Sequence, residues 1–187
     1  DLFEIIRRDF RAFDPSILYH ALNSAGITRF PEATLDIVRL GIGLYGFSGD
    51  ETFNESLTPI LSWTTSISQV REVAAGETVG YGGILRLERP HRIAVIPVGY
   101  ADGIDRSLGN GVGGVYIGPQ FCPFVGNICM DTSMIDLGDL HVNPGHSVEI
   151  IGPHQSIEKL AKAASTIPYE ILTRIPPRVK RSYVWLG

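Results

Sequence analysis

The sequence predicts a mainly β protein, in which a C-terminal β-barrel or sandwich-like domain follows an α/β fragment with parallel strands, as in a barrel or an open sheet. Two sequence patterns support this prediction. Helical and strand patterns alternate up to about residue 50, and short alternating apolar and polar segments separated by turns follow from about residue 57. The 21 glycines and 12 prolines among 187 residues favour short strands. We place the domains at 1–57 and 58–187.

The first region alternates helix and strand. Apolar spacing over residues 2–10 predicts a helix that ends near Pro15. Residues 17–20 form a predicted strand, Pro31 begins a second predicted helix, and residues 38–45 form a second, buried strand. This order implies parallel strands. Two strands cannot close a barrel, and the chain opens within a helical pattern, so we expect residue 1 to be a cut rather than a natural start.

The second region is predicted to consist of short strands and one late helix. The helix spans residues 156–164, with Ser156 as its N-cap and Glu158 in its first turn. The glycine-rich segment 109–114 fits G-x-G-x-x-G, but it precedes a strand and is therefore interpreted as a β-turn loop. The predicted strands are 61–70, 92–99, 114–117, 122–125, 133–137 and 147–151.

Composition excludes several classes of function. A net charge of −4 with no long basic run argues against nucleic acid as a partner, and no apolar stretch approaches the length of a membrane span. Cys122 and Cys129 are too few for a disulfide framework, which predicts reduced thiols in a cytoplasmic protein. The five histidines form no ligand pattern, so we predict no metal.

Two features of the first region indicate a ligand. Asn23 and Ser24 follow a predicted strand, while Gly41 and its neighbours place small residues near the end of the next one, as in phosphate sites of α/β barrels. Ordinary turn chemistry is the alternative. Arg39 lies in an otherwise apolar strand, where a buried guanidinium requires an acceptor. A structural salt bridge is the alternative for Arg39.

Six motifs together resemble alanine racemase. The segments 20–25 and 39–46 resemble its phosphate-binding and pyridine-binding strands, which implies that the first region is a fragment, the last βα units, of a TIM-type (β/α) barrel. Four further motifs follow in the family's order with closely matching spacing. The resemblance covers essentially the whole chain, whereas the family's N-terminal part, with most of the barrel and the cofactor lysine, is absent. We therefore expect the fragment alone to be inactive. The four later motifs are Gly80-Tyr-Gly82, Gly99-Tyr-Ala-Asp-Gly103, Gly126-Asn-Ile-Cys-Met-Asp131 and Pro168-Tyr-Glu170.

The resemblance implies pyridoxal 5′-phosphate as the cofactor of the full-length protein. Ser24 and the backbone groups of Gly41 and Ile42 would bind its phosphate. Tyr169 would add a hydroxyl group, and Asn23 would support the same loop.

The resemblance also gives Arg39 a role. It would donate a hydrogen bond to the pyridine nitrogen and, because arginine stays protonated, keep that nitrogen neutral and the ring a weak electron sink. A fold-related pyridoxal-phosphate decarboxylase is an alternative, but it would place an acidic residue there. A non-catalytic interaction or dimerisation module is a second alternative.

The remaining site residues concern the substrate. Tyr81 would be the L-face base of a two-base mechanism and would reach in from the neighbouring subunit of a homodimer with shared active sites. Met130 would contact the substrate carboxylate through its N–H, beside Asp131. Tyr100 and Arg106 resemble residues of the substrate entrance.

The implied function is interconversion of L- and D-alanine, which supplies peptidoglycan precursors. One departure from the family concerns the entrance: many members carry arginine where this chain has Asn127, so we expect a less positive corridor. The sequence leaves open whether alanine or serine is preferred, and whether another enzyme is fused to the protein.

Overall fold

The structure, a computed structural model, describes residues 2–48, 51–83 and 85–185. The side chains of residues 51, 52, 81 and 85 also lie outside the described part. The chain forms two compact units, residues 1–61 and 62–187, and each is described by itself.

Unit 1 is built on a pair of parallel strands. The strands β1 (His20–Asn23) and β2 (Ile37–Arg39) are parallel, and Asn23 lies opposite Arg39. This confirms the parallel arrangement predicted from the strand–helix–strand order. Three-residue and four-residue 3₁₀ turns lie at Pro31–Ala33 and Ile42–Tyr45. The elements of unit 1 are α1 (Leu2–Phe13), β1 (His20–Asn23), α2 (Ser24–Arg29), β2 (Ile37–Arg39) and α3 (Glu51–Asn54).

Three predictions for unit 1 were wrong in position or extent. β1 begins at His20, where the predicted strand ended, so Asn23 is its last residue. Pro31 begins only a short 3₁₀ turn. The strand predicted at 38–45 stops at Arg39, because the Gly41 and Gly43 N–H groups bond to a serine side chain instead of a neighbouring strand.

The apolar side chains of unit 1 are largely exposed, which also corrects the prediction of a buried second strand. No described residue of α1 is buried, and Ile37 in β2 is 45% exposed. Two strands offer too little surface to cover an amphipathic helix and the far side of a sheet. The exposed apolar side chains include Leu2, Ile5, Ile6, Phe10, Leu40 and Leu44.

Unit 2 contains two antiparallel sheets and a small hairpin. Its elements are β3 (Trp63–Ser66), β4 (Gln69–Val73), β5 (Thr78–Val79), β6 (Leu85–Arg86), β7 (His91–Ile96), β8 (Gly114–Ile117), β9 (Gln120–Pro123), β10 (Ser133–Asp136), β11 (Ser147–Ile151), α4 (Ile157–Ala163) and α5 (Pro168–Arg174). One sheet has the strand order β10-β7-β4, the second has β3-β11-β8-β9, and β5 pairs with β6.

The strand predicted at 61–70 is in fact two strands in different sheets. Ile67 is buried and donates its N–H to His146, next to β11, whereas Ser68 donates to Val95 in β7. The chain therefore changes sheet between these two residues, while the alternation of apolar and polar side chains continues across the change.

Other elements of unit 2 follow the predictions closely. β8 and β11 have the predicted bounds, and the Ser156 hydroxyl caps α4 by accepting a hydrogen bond from the Lys159 N–H. α5 was not predicted; it begins with Pro168 at its first position, where the missing N–H costs nothing. Among the described residues, no helix is long and apolar enough to cross a membrane.

Candidate functional site

A cluster of hydrogen-bonding groups lies where β1 meets α2. The Ser24 side chain is buried, and its Oγ accepts hydrogen bonds from the N–H groups of Gly41 at 3.0 Å and Gly43 at 3.1 Å. Asn23 caps α2 by accepting a hydrogen bond from the Gly26 N–H at 2.9 Å. We call Ser24, Gly41 and Gly43 the Ser24 cluster.

The Ser24 cluster fits a phosphate group. Two N–H groups converge on the Ser24 hydroxyl, and hydroxyl and backbone N–H groups are donors that phosphate oxygens accept. A Cβ at Gly43 would lie 3.5 Å from Ser24 Oγ and only 2.6 Å from the Leu40 side chain, so glycine keeps this space open. The sequence placed Gly43 among the small residues near the end of the strand but predicted only Gly41 and Ile42 as backbone donors. The Ile42 side chain is buried, and the role of its backbone stays a prediction.

Arg39 ends β2, and its side chain is exposed, which corrects the expectation of a buried guanidinium. Its Nη2 donates to the main-chain carbonyl of Ala21 at 2.6 Å. Among the described residues it pairs with no carboxylate, so the structural salt bridge considered as its alternative role is not observed there.

Tyr81 follows Gly80, a glycine that lies close to Asn127 and Met134. A Cβ at Gly80 would lie 3.1 Å from Met134 Cε and 3.8 Å from the Asn127 nitrogen. Gly80 has a φ of 79°, a conformation that favours glycine. The backbone of Tyr81 begins the 3₁₀ turn Tyr81–Gly83, and its side chain is outside the described part.

All four residues predicted to meet the substrate line one cleft in unit 2. The cleft has a volume of about 970 Å³, and we call it the Met130 cleft. Met130 and Tyr100 are about half exposed in it. Its lining consists of Tyr100, Arg106, Asn127, Ile128, Cys129, Met130, Asp131 and Thr132.

Two motif segments form the cleft by close backbone contact. The N–H groups of Tyr100 and Ala101 donate to the carbonyls of Cys129 and Met130, both at 3.0 Å. Within the described residues, the Met130 N–H donates no backbone hydrogen bond of its own. That N–H is thus an available donor in the cleft, as the interpretation of Met130 requires.

Two arginines that the sequence did not single out as site residues hold the cleft segments. Arg178 bonds to both Asp102 and Asp131. Arg174 pairs with Asp105, whose other oxygen accepts the Ser107 N–H and so caps the turn that carries Arg106. Asp102 and Asp131 lie in recognised motifs, but sequence separations of 47 to 76 residues hid the partners of these aspartates and of Asp105.

The electrostatic effects follow these contacts. Partial burial raises the pKa of Asp105, but the hydrogen bonds from Ser107 and Arg174 outweigh it and hold that pKa below its usual value. The hydrogen bond to Asp131, together with the charge of Asp102 and the hydrogen bond to it, raises the pKa of the Arg178 guanidinium above its usual value. These groups are therefore charged at neutral pH.

Tyr169 and Cys122 are not part of this cleft's lining, whereas Cys129 is. Tyr169 lies in the first turn of α5 and is 44% exposed, in unit 2, whereas the Ser24 cluster belongs to unit 1. Cys122 and Cys129 are free thiols, as predicted. Burial and the nearby Asp136 raise the pKa of the Cys122 thiol to about 11, so it is not reactive.

Gly99 is expected to be intolerant of any side chain. Its Cβ would lie 2.3 Å from the carbonyl oxygens of both Cys129 and Met130, and neither backbone can move without breaking the hydrogen bonds above. Gly99→Ala should lower the free energy of unfolding by about 3 kcal/mol in urea titration. Gly111→Ala is the control: it has φ 82° but open space, and should cost only about 1 kcal/mol. Equal losses would contradict the contact argument.

The chain matches the family model of the alanine racemase C-terminal domain over residues 60–183. It is 40% identical over 173 residues to the alanine racemase of Acidiphilium cryptum, which covers 92% of this chain and 48% of that protein. It is 39% identical over 181 residues to the alanine racemase of Brucella canis, with 88% and 46% covered.

Solved structures give the same result. The alanine racemase of Bartonella henselae, with covalently bound pyridoxal phosphate, is 38% identical with a TM-score of 0.84, and the match covers 95% of this chain and 50% of that one. That of Bacillus anthracis with bound L-Ala-P is 30% identical with a TM-score of 0.80, covering 92% and 47%. The resemblance and the fold class predicted from the sequence are confirmed. The chain spans about half the length of the curated relatives it matches.

Proposed function

The chain belongs to the alanine racemase family, and we propose that it forms the C-terminal half of a pyridoxal-phosphate enzyme that interconverts L- and D-alanine. The observation that carries this is the family match over residues 60–183, within which Tyr100, Arg106, Met130 and Asp131 line one cleft. In this proposal the chain contributes a phosphate site, a pyridine contact, a base and a substrate cleft.

The Ser24 cluster would hold the phosphate of the cofactor. Ser24 Oγ and the Gly41 and Gly43 N–H groups already face one another, so a phosphate oxygen can take the place of their mutual hydrogen bonds. Asn23 keeps the first turn of α2 in place through its cap. Tyr169 would add its hydroxyl, and Ile42 its N–H.

Arg39 would contact the pyridine nitrogen as a permanent donor. When bound, pyridoxal phosphate supplies an electron-withdrawing group that acidifies the Cα–H bond of the amino acid. A protonated guanidinium cannot give up its proton, so it would keep the pyridine nitrogen neutral and limit that withdrawal. Limited withdrawal favours return of the proton to Cα over transamination, which suits a racemase better than a decarboxylase.

Tyr81 would move the proton on the L face of the substrate. Racemisation removes a proton from one face of Cα and returns one to the other, which requires two opposed bases. A phenol, with an ordinary pKa of about 10, needs a nearby positive charge to act near neutrality. In the Met130 cleft, Arg106 and the free Met130 N–H would receive the substrate carboxylate.

The whole protein would be a homodimer with shared active sites that supplies D-alanine for peptidoglycan in the cytoplasm. The lysine that holds the cofactor would lie outside this chain, in the N-terminal part of the family that this chain does not include. We therefore expect the 187-residue chain alone not to racemise alanine. The exposed apolar surface of unit 1 supports this, since it provides a face for the rest of a barrel.

The test uses a full-length racemase in which this chain forms the C-terminal half. The wild-type enzyme should interconvert L- and D-alanine with added pyridoxal phosphate. Ser24→Ala removes the central hydroxyl and should weaken cofactor affinity about tenfold, equivalent to about 1.4 kcal/mol, measured by equilibrium dialysis. Ser56→Ala, an exposed serine of the same unit, should leave affinity unchanged. No racemisation by the wild type, with cofactor bound, would refute the proposed function.

A further inference from the structure

The Arg178 guanidinium bonds to two carboxylates at once. Nε donates to Asp102 Oδ1 at 2.8 Å, and Nη2 donates to Asp131 Oδ1 at 2.5 Å. Asp102 ends the 3₁₀ turn that carries Tyr100, and Asp131 follows Met130 directly in the cleft loop. One side chain therefore joins the two segments that contribute Tyr100 and Met130 to the Met130 cleft.

The two carboxylates have different surroundings. The Asp102 side chain is nearly buried, and its second oxygen accepts the Gly99 N–H at 2.9 Å, so loss of Arg178 would leave a buried charge with one partner. The Asp131 side chain is 57% exposed and lines the cleft. Without Arg178, Asp131 would present an unpaired negative charge where a carboxylate substrate enters.

We propose that Arg178 is a positioning residue of the Met130 cleft, which holds the Tyr100 turn against the Met130 loop and offsets the charge of Asp131, so that the cleft accepts a carboxylate. The inference rests on the proposed function for the identity of that carboxylate, an amino acid. The contacts themselves are independent of it.

The geometry distinguishes arginine from lysine at this position. Arginine reaches Asp102 and Asp131 with different nitrogens of a planar group, whereas a lysine ammonium is a single point charge on a flexible stem. Arg178→Lys should therefore restore the charge but not the double contact. Arg178→Gln removes the charge and should have the larger effect.

The kinetic test compares these variants in the full-length racemase. Arg178→Gln should raise KM for alanine about tenfold with kcat within about threefold, because the lost interaction acts on substrate binding. Raising the salt concentration should shrink the KM difference, since the repulsion from Asp131 is screened. Arg178→Lys should fall between the wild type and Arg178→Gln. Arg89→Gln is the matched control, as Arg89 is exposed and has no ion-pair partner among the described residues.

A second measurement follows the contacts without using activity. Amide hydrogen exchange at Tyr100 and Ala101, which donate to the Met130 loop, should speed up about tenfold in Arg178→Gln. An unchanged KM with unchanged exchange overturns the inference, as does a salt-independent loss of kcat that parallels a lower Tm. If the wild type does not racemise alanine, the proposed function fails, and the exchange rates alone decide whether Arg178 holds the two segments.

Discussion

Tyr81→Phe is expected to lower the rate of alanine racemisation by about 1000-fold in both directions, the largest effect of any single substitution considered. The substitution removes only a hydroxyl, so cofactor binding and folding should stay near wild-type values. The reason is chemical: if Tyr81 is the L-face base, phenylalanine can neither take nor return a proton there. Steady-state racemisation with purified full-length enzyme measures the effect.

Exchange with deuterated water separates a base from a structural tyrosine. With Tyr81 replaced, the opposite base can still exchange the Cα hydrogen of D-alanine, although the product is not inverted. We expect this exchange to persist in Tyr81→Phe while racemisation is lost. Tyr183→Phe, at a fully exposed position, is the control and should change neither rate. Equal loss of exchange and racemisation, or no loss of either, would count against Tyr81 as one of two bases.

Sequence periodicity predicted the strands that bury one face against a core. β8 and β11 have the predicted bounds because their apolar residues, such as Val115 and Val148, alternate against a single core. The same pattern failed at residues 61–70, since a strand that changes sheet at Ile67 keeps its alternation while changing its partners. It also failed at residues 38–45, where a side-chain hydroxyl takes up the backbone N–H groups.

The candidate site was only partly predictable for a related reason. Residues within one motif, such as Met130 and Asp131, could be placed together because they are adjacent in sequence. Arg178 could not, because its bonds to Asp102 and Asp131 span 76 and 47 residues. Gly43 was not predicted as a donor, because a backbone N–H donor does not show in the residue type beyond the absence of a side chain.

Arg39→Glu is the substitution that tests how the pyridine ring is controlled. Glutamate cannot donate to the Ala21 carbonyl and, beside the pyridine nitrogen, would favour its protonation. We expect racemisation to fall at least about 100-fold, equivalent to about 2.7 kcal/mol of transition-state stabilisation. A protonated ring withdraws electrons more strongly, so slow transamination should appear as keto acid in the product mixture.

Arg39→Lys completes the test, because it keeps the positive charge and loses the planar donor geometry. It should lower racemisation less than Arg39→Glu does, and it should produce no keto acid. If Arg39 only ties β2 to β1 through the Ala21 carbonyl, both variants should lose stability and activity together, and the ratio of keto acid to D-alanine should stay at the wild-type value. That ratio therefore decides between control of the cofactor and a structural link, since destabilisation lowers the amount of active enzyme without changing which product it makes.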